Sequence, residues 1–155
     1  MKLRIAAVGR LRAGPEADLV GDYVARFEKV GRNLGLGPLD IVEVDAKGKG
    51  MNAEAGLLQK ALSVGSPICA LDERGKQYTS IEFARVLSDW RDQGANEPTF
   101  VIGGADGLAK ELRQKADMKL SFGSMVWPHM LVRVMLAEQL YRAASILSGS
   151  PYHRE

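Results

Sequence analysis

Short apolar runs alternate along this chain with longer stretches in which apolar residues return every three or four positions. Residues 3–8 read as a buried strand ended by Gly9. Beyond a loop at 10–14, Pro15 opens a helix in which Leu19, Tyr23 and Phe27 recur every four residues while Val20 and Val24 widen the stripe. Residues 31–38, with three glycines and a proline, form a connector. The strand that follows, at 39–44, alternates imperfectly because of Asp40 and Glu43, which suits a place near a sheet edge.

Asn52 is positioned to cap a helix that runs to about Leu62, and residues 64–67 stop it before a third apolar strand at 68–71. Ser80 is positioned to cap the next helix, whose apolar face is Ile81, Phe83, Ala84, Val86, Leu87 and Trp90, with Gly94 ending it. A fourth strand at 99–102 meets the turn 103–107 and a short helix from about Leu108 to Lys115; a fifth strand spans 118–122. Strands that alternate with helices predict an α/β domain with a mainly parallel sheet and helices on both faces.

The last helix, from Pro128 in its first turn to about Leu147, is apolar over well over half of its circumference. That width predicts burial on more than one side, with the remaining face meeting another chain. Glu138 and Arg142 stand four apart, acid first, as a favourable surface pair.

At 155 residues the chain is expected to be one domain, 1–155, with a core that needs neither disulfide nor metal. Cys69 is alone in an apolar run and reads as a small buried hydrophobe. His129 and His153 lack the companions of a zinc site, so no metal is expected. No apolar run is long enough to span a bilayer and the start leads into a strand, so a cytoplasmic protein without a membrane partner is expected. The formal charge of +2 is too small to suggest a general polyanion binder; any nucleic-acid partner must be gripped locally or by two subunits together. Local clusters stand at Arg10 with Arg12, Lys47 with Lys49, and Arg142 with Arg154, each with solvated surface charge as the default.

Ligands of parallel α/β sheets bind beyond the carboxyl ends of the strands, here after Leu71, Ile102 and Leu120. The dinucleotide fingerprint fails, since Ile102 stands where its first glycine should be, and no G-K-[ST] phosphate loop exists. No nucleophile elbow and no carboxylate pair in the glycine loops is present either. By elimination the loops suit binding through backbone groups, with the chemistry residing in a cofactor.

Several ordered segments carry a resemblance: Met1-Lys2-Leu3 with Ala7-Val8-Gly9, Leu71-Asp72 with Gly75-Lys76, residues 100–104 with Gly107-Leu108, Pro128-His129 with Leu131-Val132-Arg133-Val134, residues 137–143, and the terminal Tyr152-His153-Arg154. Together they resemble the ribosomal RNA large-subunit methyltransferase H family of the SPOUT class, over the whole chain. The resemblance implies a trefoil knot in the carboxyl-terminal segment, S-adenosylmethionine held in it, and an obligate homodimer. It implies methylation of N3 of a pseudouridine in a stem-loop of large-subunit ribosomal RNA, on assembled ribosomes. By position, Leu71, Gly103, Gly104 and the loop Gly123, Ser124, Met125, Val126, Trp127 and Pro128 would cradle the cofactor. For Leu71 and Val126, plain core packing is the competing account. His153 and Arg154 would serve the RNA base and its phosphates, and Arg142 would steady the imide anion or pair with Glu138. The other readings are a non-catalytic ribosome-associated RNA-binding protein and a SPOUT enzyme acting on transfer RNA.

Overall fold

The computed structural model describes residues 1–154; Glu155, the last residue of the predicted tail cluster, lies outside the described residues. The elements are β1 (Leu3–Val8), α1 (Pro15–Gly31), a 3-10 turn at Arg32–Leu34, β2 (Leu39–Val44), α2 (Met51–Lys60), β3 (Ile68–Gln77), α3 (Ser80–Asp92), β4 (Thr99–Ile102), α4 (Lys110–Lys115), β5 (Met118–Ser121) and α5 (His129–Leu147). The five strands pair in parallel in the order β2-β1-β4-β3-β5. β2 is an edge strand, as its mixed pattern predicts.

Side chains alternate across the sheet, so each strand feeds two cores. Leu3, Ile5, Ala7, Cys69, Phe100, Ile102 and Leu120 face α1, α3 and α5, where Phe27, Phe83, Leu87, Leu136 and Leu140 close over them. Ala6, Val8, Ile68, Ala70 and Val101 face α2 and α4, meeting Leu58 and Leu112. Burying each large apolar side chain contributes about 1.5–3 kcal/mol. Burial also pushes the Cys69 thiol up, leaving it the small hydrophobe expected.

Two predicted caps are displaced. Asn52 is an exposed residue inside α2; the cap position is Gly50, at φ 92, with no side-chain cap. The glycine-bearing loop 47–50 turns directly into the helix, so backbone geometry outranks the better capping side chain two residues on. In α3 the cap is Thr79, not Ser80. Thr79 Oγ1 accepts from the Glu82 N–H at 3.1 Å and the Glu82 carboxylate accepts from the Thr79 N–H at 2.8 Å. Ser80 Oγ instead donates to Gln139 of α5 at 2.9 Å.

Further boundaries move: α2 ends at Lys60 instead of about Leu62, and β5 at Ser121 instead of 122. β3 continues past residue 71 to Gln77, because its register against β5 shifts between Leu71 and Lys76 and residues 72–75 bulge out. α4 begins at Lys110, two residues late, since Leu108 and Ala109 are buried in the approach to it. Pro128 holds the cap position of α5 with extended backbone instead of sitting in its first turn.

α5 satisfies its wide apolar surface largely within its own chain. Leu136, Ala137, Leu140, Ala143 and Ala144 are fully enclosed against the sheet, α1 and α3. The apolar surface left over lies at the start of the helix, in Met130 and Leu131, and in the loop before it. Arg133, in the middle of the apolar stripe, is 1% exposed. Its Nη1 donates to the Glu43 carboxylate at 2.7 Å and its Nη2 to the Gly9 carbonyl at 3.0 Å. The same Glu43 oxygen accepts from the Leu11 N–H at 2.6 Å. A charge buried in this way needs a paired, hydrogen-bonded partner, which Glu43 supplies.

Candidate cofactor cleft and tail cluster

A cleft of about 630 Å³ opens at the carboxyl ends of β3, β4 and β5. The three segments expected from sheet topology all reach it. Leu71, Gly103, Gly104, Gly123, Met125, Val126, Trp127 and Pro128 line it; Ser124 belongs to the same loop but is not part of the lining. The sequence reading missed Phe122, His129 and Val132 in the wall, and Asp72 at the lip. The signal for His129 and Val132 is their position in the first turn of the helix that the cleft loop feeds.

The glycines differ in why they are glycines. A Cβ on Gly103 would stand 2.6 Å from the backbone of Gly107, and one on Gly104 would meet Val8 and the Glu54 carboxylate at about 3.1 Å. The turn's own backbone forbids a side chain at the buried Gly103, whereas at the half-buried Gly104 a side chain would be crowded by those of Val8 and Glu54. Gly123 has open space around its Cβ position but adopts φ +115, which disfavours any other residue.

Asp72 anchors the bulge at the lip. Its carboxylate accepts from the Arg74 N–H at 3.0 Å, from Arg74 Nε at 3.2 Å and from Arg113 Nη1 at 3.3 Å. Burial alone would raise this carboxyl, but those donors outweigh it and hold it below the ordinary carboxylate range. The site offers apolar walls, a glycine turn and, at the lip, an Asp72 carboxylate paired with Arg74 and Arg113. No group of three or more His, Cys, Asp or Glu among the described residues is placed to hold a metal.

The second region is the tail, which is not a solvated end. Tyr152 packs on Tyr141 with ring centroids 4.5 Å apart and donates from Oη to Glu138 Oε1 at 3.0 Å. Arg142 donates to that same oxygen from Nε at 3.0 Å and Nη2 at 2.6 Å, and its guanidinium lies 4.8 Å from the Tyr152 ring centroid. Burial and the Glu138 hydrogen bond push the Tyr152 hydroxyl up to about 12. The bond to Glu138 raises Arg142 as well.

Arg142 Nη1 stands 3.3 Å from His153 Nδ1. A guanidinium only donates, so Nδ1 accepts and the imidazole proton sits on Nε2. Arg154 is exposed beyond this cluster. Of the two roles open to Arg142, the pair with Glu138 is the one formed in this chain. Arg142 and His153 are together, with Arg154 the next residue along the chain, yet apart from the cleft: Val132 and Arg142 are ten residues apart on α5, about 15 Å along the helix.

The cleft loop exposes large apolar side chains, with Met125 73% and Val126 82% exposed. Core packing therefore does not explain Val126. For Leu71, partly buried against the main core, packing and cleft lining coexist. No helix among the described residues is long and apolar enough to cross a membrane.

Known proteins match this chain over nearly its whole length. A protein named Ribosomal RNA large subunit methyltransferase H from Dinoroseobacter shibae is 63% identical over 155 residues, 99% of each chain. One of the same name from Ruegeria pomeroyi is 62% identical over the same share of both. Among solved structures, a probable methyltransferase from Bordetella pertussis Tohama I superposes with a TM-score of 0.56 over 92% of this chain and 96% of its own, at 15% identity, a likeness of fold. A family model described as "Predicted SPOUT methyltransferase" matches residues 1–153, and the chain belongs to that family.

Proposed function

We propose that this protein methylates large-subunit ribosomal RNA with S-adenosylmethionine as the methyl donor. The observation that carries the reading is end-to-end identity above 60% with proteins named for that activity. The cleft fits the cofactor. Its volume lies within the range of small-molecule sites. Ile102, Phe122 and Val132 offer apolar surfaces to a nucleoside, and the glycine turns offer peptide groups to its polar edges. No phosphate-binding loop competes with that use. Residues 103–104 and 123–128 with Leu71 would hold it, and Met125, Val126 and Trp127 would cover it against water.

Bound there, the cofactor supplies an electrophilic sulfonium methyl. The chain must then place the acceptor nitrogen in line with it and favour loss of that nitrogen's proton. The acceptor in our reading is N3 of a pseudouridine in a stem-loop, modified on assembled ribosomes in the cytoplasm. The working unit is a homodimer with a knotted carboxyl-terminal segment. The separation of about 15 Å along α5 supports the dimer: one copy's cleft lacks the tail cluster of its own chain, and a second copy can bring Arg142, His153 and Arg154 to it. The exposed apolar loop supplies surface for such a contact.

The test is mass mapping of methylated nucleosides in large-subunit RNA after undermethylated ribosomes are incubated with the protein and S-adenosylmethionine. A new methyl on a pseudouridine is expected. Its absence removes the enzyme reading and leaves a binding protein. Methylation of free transfer RNA instead would reassign the substrate.

A further inference from the structure

His129 has an unexplained geometry. It is the first residue of α5 and lines the cleft. Its Nδ1 is fully enclosed and has no hydrogen-bond partner, whereas Nε2 is not among the enclosed, unpaired atoms. The ring is held from behind by the end of β1: its Cε1 lies 3.6 Å from where a Cβ on Gly9 would stand. One turn further on, Arg133 ties α5 to the carbonyl of Gly9 and to Glu43, fixing the helix start on which the ring is mounted.

A buried nitrogen without a partner is costly, and an orphaned donor is rarer than an under-used acceptor. The proton therefore belongs on Nε2, which leaves Nδ1 as a bare acceptor and turns an N–H toward the cleft. His129 is the lining residue that reaches the end of β1, its ring lying beside Gly9. There the chain runs on through Gly9 into the exposed loop of Arg10 and Arg12. The glycine turns and the loop 123–128 already account for the cofactor. A donor facing in from the β1 side, beside cations suited to phosphates, is placed for the polynucleotide.

We infer that His129 holds the acceptor base, donating from Nε2 to a carbonyl oxygen of its imide. The inference rests on the RNA-methylation reading above. As N3 loses its proton, negative charge spreads onto the flanking carbonyl oxygens, and a fixed N–H aimed there becomes stronger as the charge develops. Nε2 already carries a proton, so His129 does not take up the one that leaves N3. Its part is recognition and charge stabilisation. The same donor gives selectivity, because a base edge that presents an amine in place of a carbonyl would face it donor to donor.

The experiment compares wild type with His129→Phe and His129→Gln, each checked for folding by circular dichroism. Titration calorimetry gives cofactor affinity, and single-turnover transfer to undermethylated large subunits gives the rate. Removing one donor of this kind costs about 100-fold or more in rate. His129→Phe is expected to lose transfer on that scale with cofactor affinity within about twofold. His129→Gln, which returns an N–H near the same place, should recover about tenfold of it; a purely space-filling role would favour the phenylalanine. Should the phenylalanine variant fail to fold, His129→Ala replaces it. Transfer within about twofold of wild type in a folded His129→Phe overturns the inference alone. Cofactor affinity that falls in step with rate also overturns it, by assigning His129 to the cofactor. If wild type itself transfers no methyl to large-subunit RNA, the functional reading fails and this inference with it.

Discussion

At its amino end α5 grows out of a loop that turns large apolar side chains outward and lines the cleft with backbone as much as with side chains. At its carboxyl end the same helix carries a network in which one oxygen, Glu138 Oε1, accepts from Arg142 and from Tyr152. The first region is specified by where side chains are forbidden, the second by which side chains meet. Substitutions at the cleft glycines should therefore matter through conformation, and those at the tail through chemistry.

The largest expected effect is at Gly103. A valine there would force atoms into the Gly107 backbone, and overpacking of this kind typically costs about 1–3 kcal/mol or more. Gly103→Val should lose cofactor binding by calorimetry together with several degrees of thermal stability. A folded variant that binds normally would end the contrast. Removing residues 152–155 sharpens it from the other side: transfer should fall on the order of 100-fold while cofactor affinity stays unchanged. The missing Tyr152 packing should cost about 1–2 kcal/mol, read as a melting shift.

Glu138→Gln comes next. It replaces an ionised acceptor that serves two residues, and hydrogen bonds to charged groups contribute about 1.5–3 kcal/mol. A double-mutant cycle with Tyr152→Phe should show coupling, and additive effects would mean that the network is not a unit. Asp72 gives a smaller, pH-dependent effect. Its folded carboxyl is held low, so its contribution is complete above the unfolded carboxylate value of about 3.9 and is lost as pH falls through the folded one. Chemical denaturation of Asp72→Asn should show about 1 kcal/mol less stability than wild type at neutral pH. That gap should close in acid; a gap constant with pH would assign it to packing. Least of all, Met125→Ser with Val126→Ser should leave folding stability within about 0.5 kcal/mol, since both side chains are exposed. Dimer dissociation measured by sedimentation should nonetheless rise.

The contrast also explains what the sequence could reveal. β1, β2 and β4 were legible to the residue because buried or edge strands leave apolar runs bounded by glycine or proline. The extension of β3 was not, because residues 72–77 are polar and pair with β5 only after a bulge. Asn52 outranked Gly50 as a cap by propensity, and only the turn geometry reverses that order. On the site, glycines announced the cleft, whereas the surroundings of His129 and Arg133 were not legible, because Gly9 and Glu43 lie about 90 or more positions away. The tail cluster could be named as a cluster, but its anchorage on Tyr141 and Glu138 required the helix to be in place.

That long reach has a consequence for how the protein is made. The carbonyls of Val8 and Gly9, exposed from the ribosomal exit within the first seconds of synthesis, wait for a guanidinium that is 124 or 125 positions downstream. Contacts of such separation form late, because a long stretch of chain must be ordered before they return anything. A nascent chain halted before Arg133 therefore has its first strand but not the clasp at that strand's end. Glu43 can hold the loop beyond Gly9 early, through the Leu11 N–H, but the guanidinium that fixes Glu43 arrives only with Arg133, so a chain halted before it carries the loop's cations in a looser frame.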